Sequence, residues 1–308
     1  MYNEFEFIST FLTKENNFMY RSDGYRVRGK DSMYELIPYV MPYRYDASNS
    51  VTVDIDLGLL QDYVRKCRSK GISMNHMSII IAGMLRVASQ NPFLNRFIMN
   101  RKVYARNHFC VSFVTLQPGK TSDTVSKLYF NLDDDIFTVN RKVQDAIERA
   151  QQPASQNAMD KLMTRLLSVP FLVGGVVGIL KFIDKYFTLP FSIVHASPFH
   201  TSLFITNLAS IRTNAIYHHL YEFGTTGIFI AMGQPERKVE INGETVEERK
   251  IMPLGVVTDE RIANGHYYGR CFRELNRYYK NPELLETAPE QIVKDPDVKK
   301  KNPKFIVK

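Results

Sequence analysis

Between Val51 and Gly71 the spacing of the apolar residues changes without a break. "VTVDIDL" (51–57) alternates apolar and polar residues, the period of a half-buried strand. "LGLLQDYVRKCRSKG" (57–71) then recurs at helical spacing and stops at a glycine. A strand that feeds straight into an amphipathic helix needs a second layer to cover both apolar faces. The stretches that follow extend this pattern irregularly. "SMNHMSIIIAGMLRVASQNP" (73–92) reads as a helix capped by Ser73 or Asn75 and ended by Asn91-Pro92. "RFIMNRKVYAR" (96–106) reads as a hairpin around Asn100-Arg101, and "HFCVSFVTL" (108–116) as a buried strand. "FTVNRKVQDAIERAQ" (137–151) returns to helical period, and "SLFITNL" (202–208) and "TTGIFIAMG" (225–233) are strands. "KVEINGETVEERKIMPLGVV" (238–257) is a hairpin with Asn242-Gly243 as its turn. "GHYYGRCFRELNRYYKNPELL" (265–285) is a closing helix ended by Asn281-Pro282. Strands and helices mixed without a regular βαβ beat predict an α+β fold: a two-layer sandwich, with a mixed sheet covered by helices on one face.

The 308 residues suffice for one large domain, expected over 1–287. From Ala288 onward the chain holds six Lys and three acidic residues, so it reads as a basic, flexible tail. The net charge of +8 has no basic run interleaved with aromatics behind it, which argues against nucleic-acid binding. Cys67, Cys110 and Cys271 lie far apart with no metal-ligand spacing, and read as reduced, buried thiols; no metal site is expected. The N-terminus lacks the long apolar run of a signal peptide, so a cytoplasmic location is expected. Residues 166–194 are the most apolar part of the chain. The run is too short to span a bilayer, and it reads as a core helix pair or the wall of a pocket for a small hydrophobic substrate. A membrane-facing hairpin or anchor and a partner-docking surface are the less favoured readings of the same segment.

Several of these pieces fall in the order of a known family. "PLGVVTDERIANGHYYGRCFRELNRYYKNPELL" (253–285), "SLFITNLAS" (202–210), "VTVDIDLGLLQDYVRK" (51–66) and "MNHMSIIIAGMLRVASQNPFLNRFI" (74–98) together resemble the catalytic domain of the dihydrolipoyl acyltransferases of 2-oxoacid dehydrogenase complexes. The resemblance covers about residues 35–285, and the fold it implies is similar to that of chloramphenicol acetyltransferase. It implies an acyltransferase that uses a coenzyme A thioester as co-substrate and works as a homotrimer, with each site formed between subunits. No lipoyl domain is expected on this chain, so the acceptor implied is a non-lipoyl one.

The departure from the family is at the centre of its motif. Where the family has a histidine between Asp and Arg, this chain has Glu260 between Asp259 and Arg261. Imidazole titrates near working pH and suits general-base chemistry on a thiol. A carboxylate does so only if burial raises its pKa, and pairing with Arg261 would lower it further. The resemblance implies that Thr206, 54 residues before Glu260, steadies the oxyanion, and that Asn264 holds the motif loop. The tandem His218 and His219 follow Thr206 by a dozen residues and are alternative bases. His195 and His200 precede the same strand, and His266 follows the motif. No residues for binding the cofactor are read from the sequence. Two readings therefore stand: an active acyltransferase with Glu260, His218 or His219 as base, or a catalytically silent relative that serves as a scaffold or ligand-binding protein.

Overall fold

A computed structural model describes residues 20–28, 32–116, 123–151, 172–242, 245–301 and 303–307. The N-terminal 19 residues, the apolar stretch before residue 172 and the expected turn residue Gly243 lie outside the described residues.

The strands read from the sequence, joined by one at Asp123–Phe130 that was not read there, form one mixed sheet of seven. They are β3 (Ser48–Asp56), β6 (Phe109–Leu116), β7 (Asp123–Phe130), β8 (Leu203–Asn207), β9 (Ile228–Met232), β10 (Glu236–Asn242) and β11 (Thr245–Asp259). Their order is β10-β11-β9-β8-β6-β7, with β3 paired to β11. β6, β8 and β9 run parallel, and the remaining pairs are antiparallel. β10 and β11 pair out to Asn242 opposite Thr245. A smaller sheet, β1 (Tyr20–Arg21), β2 (Gly24–Arg26), β5 (Lys102–Arg106) and β4 (Arg96–Met99), flanks the large one. In its β4–β5 hairpin the two turn residues Asn100 and Arg101 both have positive φ, 47° and 60°, as a tight two-residue turn requires.

Four helices cover one face of the large sheet: α2 (Leu57–Ser69), α4 (Ile136–Gln151) and α7 (Gly265–Lys280), which are amphipathic, and α3 (His76–Gln90), which is buried from Met77 to Ser89. A short helix, α1 (Ser32–Val40), precedes β3. Asp56 caps α2, Asn75 caps α3 and Asn264 caps α7, each accepting a backbone N–H through its side-chain oxygen. The core lies between these helices and the inward residues of the sheet, among them Val111, Phe113, Ile205, Ile230 and Leu254. All three cysteines are free and buried.

Three expectations change. α6 (Phe191–Ala196) packs over the opposite face, where His195 stacks on Tyr129 at 5.0 Å, so helices are not confined to one side. α5 (Leu172–Tyr186), the longer described helix of the apolar segment, is not a core helix: Asp184 is its only buried residue among those described, while Leu189 and Val194 after it are buried. A row of apolar residues predicts burial only if something lies opposite it, and here little does. The stretch after residue 288 is docked rather than free. The Arg96 guanidinium bonds to both Asp295, at 2.6 Å, and Asp297, at 2.8 Å. Val293 N–H donates to Ser89 O and Ile306 N–H to Asn107 O.

Candidate functional site

The sheet places the sequence-derived residues on a common ruler. Thr206 in β8 is level with Ala231 in β9, and Ala231 with Gly255 in β11. Glu260 lies five residues beyond Gly255, so at the rise of an extended strand it is roughly 17 Å further along the sheet. Within one chain, therefore, Thr206 and Glu260 sit at opposite ends of the sheet and are not brought together.

At the Glu260 end the chain alternates between interior and surface. Asp259 points inward, and Arg261 donates to both its oxygens, Nε to Oδ1 at 2.8 Å and Nη2 to Oδ2 at 2.7 Å. Both residues are buried, and Tyr268 Oη adds a bond to the Asp259 carbonyl. The Arg44 guanidinium reaches Asp259 from the other side at 3.9 Å. Its remaining N–H groups hold the carbonyls of Ile98, Tyr221 and Glu222. Glu260 lies between the two paired residues but on the other side of the backbone. It is half-buried, and its carboxylate accepts from Asn49 Nδ2 at 2.5 Å. The Arg261 guanidinium is taken by Asp259, and among the described residues no pair with Glu260 is formed. Asn264 is the cap of α7, with Oδ1 accepting from Tyr267 N–H at 2.8 Å.

At the Thr206 end a cleft of about 350 Å³ opens where β6 and β8 finish. Thr206, Val114, Met77, Ile147, Gln151 and Ser210 line it. Thr206 shares the outer face of the sheet with Phe204, whose ring stacks on Phe229 at 5.0 Å. The segment joining β8 to β9 crosses this face as a strap. Thr213 O accepts from Gln234 N–H, and the strap backbone passes over Gly233 and Gly255, where a Cβ would lie 2.4 Å from Ala215 N and 2.1 Å from Ile216 O. Tyr217 Oη and Thr52 Oγ1 meet at 2.5 Å.

The strap delivers His218 onto the outer face. Its ring stacks on Phe229 at 4.1 Å with an interplanar angle of 8°, one two-residue step, about 7 Å, from the level of Thr206. His218 Nδ1 donates to the His219 carbonyl at 2.8 Å, so in the neutral ring Nε2 carries the lone pair. Partial burial lowers the His218 pKa, outweighing the His219 carbonyl that favours the charged form. His219 is exposed and stacks on His218 at 4.5 Å.

The other histidines go elsewhere. His266 is exposed in the first turn of α7. His200 is buried before β8, with Nε2 donating to Asp184 Oδ2 at 3.0 Å and Nδ1 accepting from Ser197 Oγ at 2.7 Å. Asp184 also accepts from Arg21 at 2.6 Å, and Arg21 pairs with the fully buried Asp23. This network fastens the end of α5 to the small sheet. Beside it lies Cys110. Burial alone would push its thiol up, but Lys127, His108 and Arg106 outweigh that and draw it down to about 5. None of this cluster was legible beforehand, because residues 21, 106, 110, 127, 184 and 200 belong to separate elements.

No family model matches this sequence, and no curated protein matches it. Solved structures do resemble it. A probable dihydrolipoamide acetyltransferase from Listeria monocytogenes aligns over 82% of this chain and 93% of its own, with TM-score 0.53 and 12% identity. The fold is that of a dihydrolipoamide acetyltransferase core. The Azotobacter vinelandii dihydrolipoamide acetyltransferase aligns over 84% and 93%, with TM-score 0.54 and 11% identity; a serine, a histidine and an asparagine were investigated there for roles in its catalytic mechanism. A truncated catalytic core of the 2-oxoacid dehydrogenase complex from Thermoplasma acidophilum aligns over 83% and 98%, with TM-score 0.52 and 13% identity. In this acetyltransferase-core fold the segment from Thr206 to Asn264 is carried on β8, the strap, β9, β11 and the cap of α7.

Proposed function

We propose that this protein is an acyltransferase that moves an acyl group from a coenzyme A thioester to a non-lipoyl acceptor, with His218 as general base and Thr206 as oxyanion donor. The observation that carries the reading is the placement of His218 and Thr206 on one outer face. The imidazole has its Nδ1 proton fixed on a carbonyl and a free Nε2 lone pair. In the proposed step Nε2 removes the proton from the acceptor's hydroxyl, amine or thiol, which attacks the thioester carbonyl carbon. Thr206 Oγ1 donates to the oxyanion, and collapse expels the coenzyme A thiolate, which takes the proton back from His218.

The Azotobacter protein's investigated serine, histidine and asparagine support the positions of two further residues. That asparagine follows the histidine by four residues, as Asn264 follows Glu260, and the serine precedes it by 52, against 54 from Thr206 to Glu260. On this likeness the chain is expected to assemble as a homotrimer, and Glu260 of a neighbouring copy would approach the Thr206 cleft.

The second reading is a catalytically silent relative acting as a scaffold or ligand-binding protein. The replacement of the family's histidine by Glu260, whose carboxylate is tied to Asn49 Nδ2, favours it. Thiol release from a panel of acyl-coenzyme A donors separates the two. The active reading expects release that His218→Gln abolishes and Glu260→Gln leaves within about threefold. Loss in Glu260→Gln alone would move the base to Glu260, and absence of release with every donor and acceptor would favour the silent reading.

A further inference from the structure

Helix α5 is held to the protein by one end. Asp184 bonds to Arg21 and His200, and Leu189 O just beyond accepts from Ser22 Oγ at 2.6 Å. Among the described residues, the apolar side chains of its second half are largely exposed, and Lys181, Phe182, Lys185 and Tyr186 border a cleft shared with Tyr43, Ile98 and Arg101. Ile179 is 62% exposed, Phe182 56%, Phe187 54% and Tyr186 47%. Phe182 contacts Tyr186 and Phe187, so the three rings form a cluster at the surface. At Gly174, Gly175 and Gly178 an added Cβ would meet nothing within 4 Å among the described residues. Such a patch on a protein surface marks a binding face.

The charges on the helix identify what it fits. Its single acid, Asp184, is buried and paired on both oxygens. Its exposed charges are Lys181 and Lys185, one turn apart beside the aromatic cluster. What α5 presents outward is therefore aliphatic, aromatic and cationic, and never anionic. Aromatic rings settle at the headgroup level of a bilayer, and lysines there gain from anionic lipid. With 15 residues α5 is about 22 Å long, and no helix among the described residues is long and apolar enough to cross a membrane. The remaining geometry is a helix lying in the plane of the interface. We propose that α5 docks this protein on the surface of an anionic phospholipid bilayer, burying Ile179, Phe182, Tyr186 and Phe187 below the headgroups with Lys181 and Lys185 among the phosphates. The proposal is independent of the acyl-transfer reading.

Flotation of the full chain with vesicles tests it. The protein is expected to float with phosphatidylcholine vesicles containing phosphatidylglycerol, and less well at high salt. Phe182→Glu should weaken partitioning about tenfold or more, since it withdraws a buried aromatic ring and adds repulsion. Because Phe182 is more than half exposed, the variant is expected to keep its circular dichroism and melting temperature. The pair Lys181→Glu and Lys185→Glu should remove the salt-sensitive part of binding without touching the rings. Three outcomes overturn the proposal: no flotation on anionic vesicles, flotation indifferent to both variants, or an oligomer that Phe182→Glu dissociates in light scattering while the wild type ignores lipid. The last would make α5 a contact between copies of this chain.

Discussion

The Arg261 guanidinium donates to both carboxylate oxygens of Asp259 and not to Glu260, which lies between them. Asp259 ends β11, and Glu260 and Arg261 stand in the turn that Ile262 N–H closes on the Asp259 carbonyl; there the flanking pair is buried and the middle residue is half-exposed. The inward pair and the outward carboxylate should therefore respond differently to substitution. Asp259→Asn leaves a buried guanidinium without its counter-charge and is expected to cost about 3–5 kcal/mol. Glu260→Gln alters one half-exposed contact and is expected to stay within about 1 kcal/mol. Urea unfolding midpoints of the two variants check this; equal losses would mean that Glu260 belongs to the structural network.

If His218 is the base, the pH dependence of kcat/KM has a defined direction. The base works as neutral imidazole, and burial shifts its protonation to lower pH than the ordinary value of about 6.5. Activity should therefore rise with pH along a limb centred below 6.5 and be flat above it. His218→Gln should remove the limb and cost about 10²–10⁴ in rate. Thr206→Val should cost about 10²–10³ with the limb intact, while Thr206→Ser retains most of the rate. A limb centred at or above 6.5 would point to another group.

The local elements were legible because their causes are local. The alternation of "VTVDIDL" gave β3, and Asn75 before an apolar run gave the cap of α3. Asn100-Arg101 between two strand-like runs gave a hairpin turn. What periodicity does not supply is the register between elements. Sequence spacing alone could not show that Thr206 and Glu260 lie at opposite ends of the sheet; that follows from the pairings Thr206–Ala231 and Ala231–Gly255. The exposure of α5 was hidden for a related reason: Val176 and Phe182 look like core residues until it is known that Phe182 is more than half exposed. The acidic tail residues Asp295 and Asp297 were read as part of a solvated stretch, yet they are the counter-ions of Arg96.

Cys110 should behave as a thiolate at neutral pH. Its folded pKa is lowered from 9.0 to about 5, so the unfolded chain binds more protons between those values. Its contribution to stability is then fully present above about pH 9 and lost as pH falls through about 5. Cys110→Ser should therefore be destabilising by an amount that grows as pH rises from about 5 to 9. Differential unfolding of wild type and variant across that range measures this. Thiolate absorbance near 240 nm in the folded protein, lost on acidification below pH 5, gives an independent reading. A gap between wild type and variant that does not change with pH would show that Cys110 is held as the neutral thiol.

Gly255 and Gly265 make a matched pair for the strap. At Gly255 a methyl group would lie 2.1 Å from Ile216 O, a backbone atom that no side-chain rotation can move. Gly255→Ala must lift the strap from the sheet, at an expected cost of about 1–3 kcal/mol. Because His218 is two residues after Ile216, the same substitution should displace its ring from Phe229 and lower any acyl-transfer rate more than a stability loss alone would. At Gly265 a methyl group meets nothing within 4 Å among the described residues. Gly265→Ala at the first position of α7 is therefore expected to be neutral or to stabilise by up to about 1 kcal/mol. Thermal melts and thiol-release rates of the two variants, compared at a temperature where both are folded, separate a strap that carries His218 from one that only covers the sheet. Loss of rate in Gly255→Ala with His218→Gln still active would assign the effect to the cover.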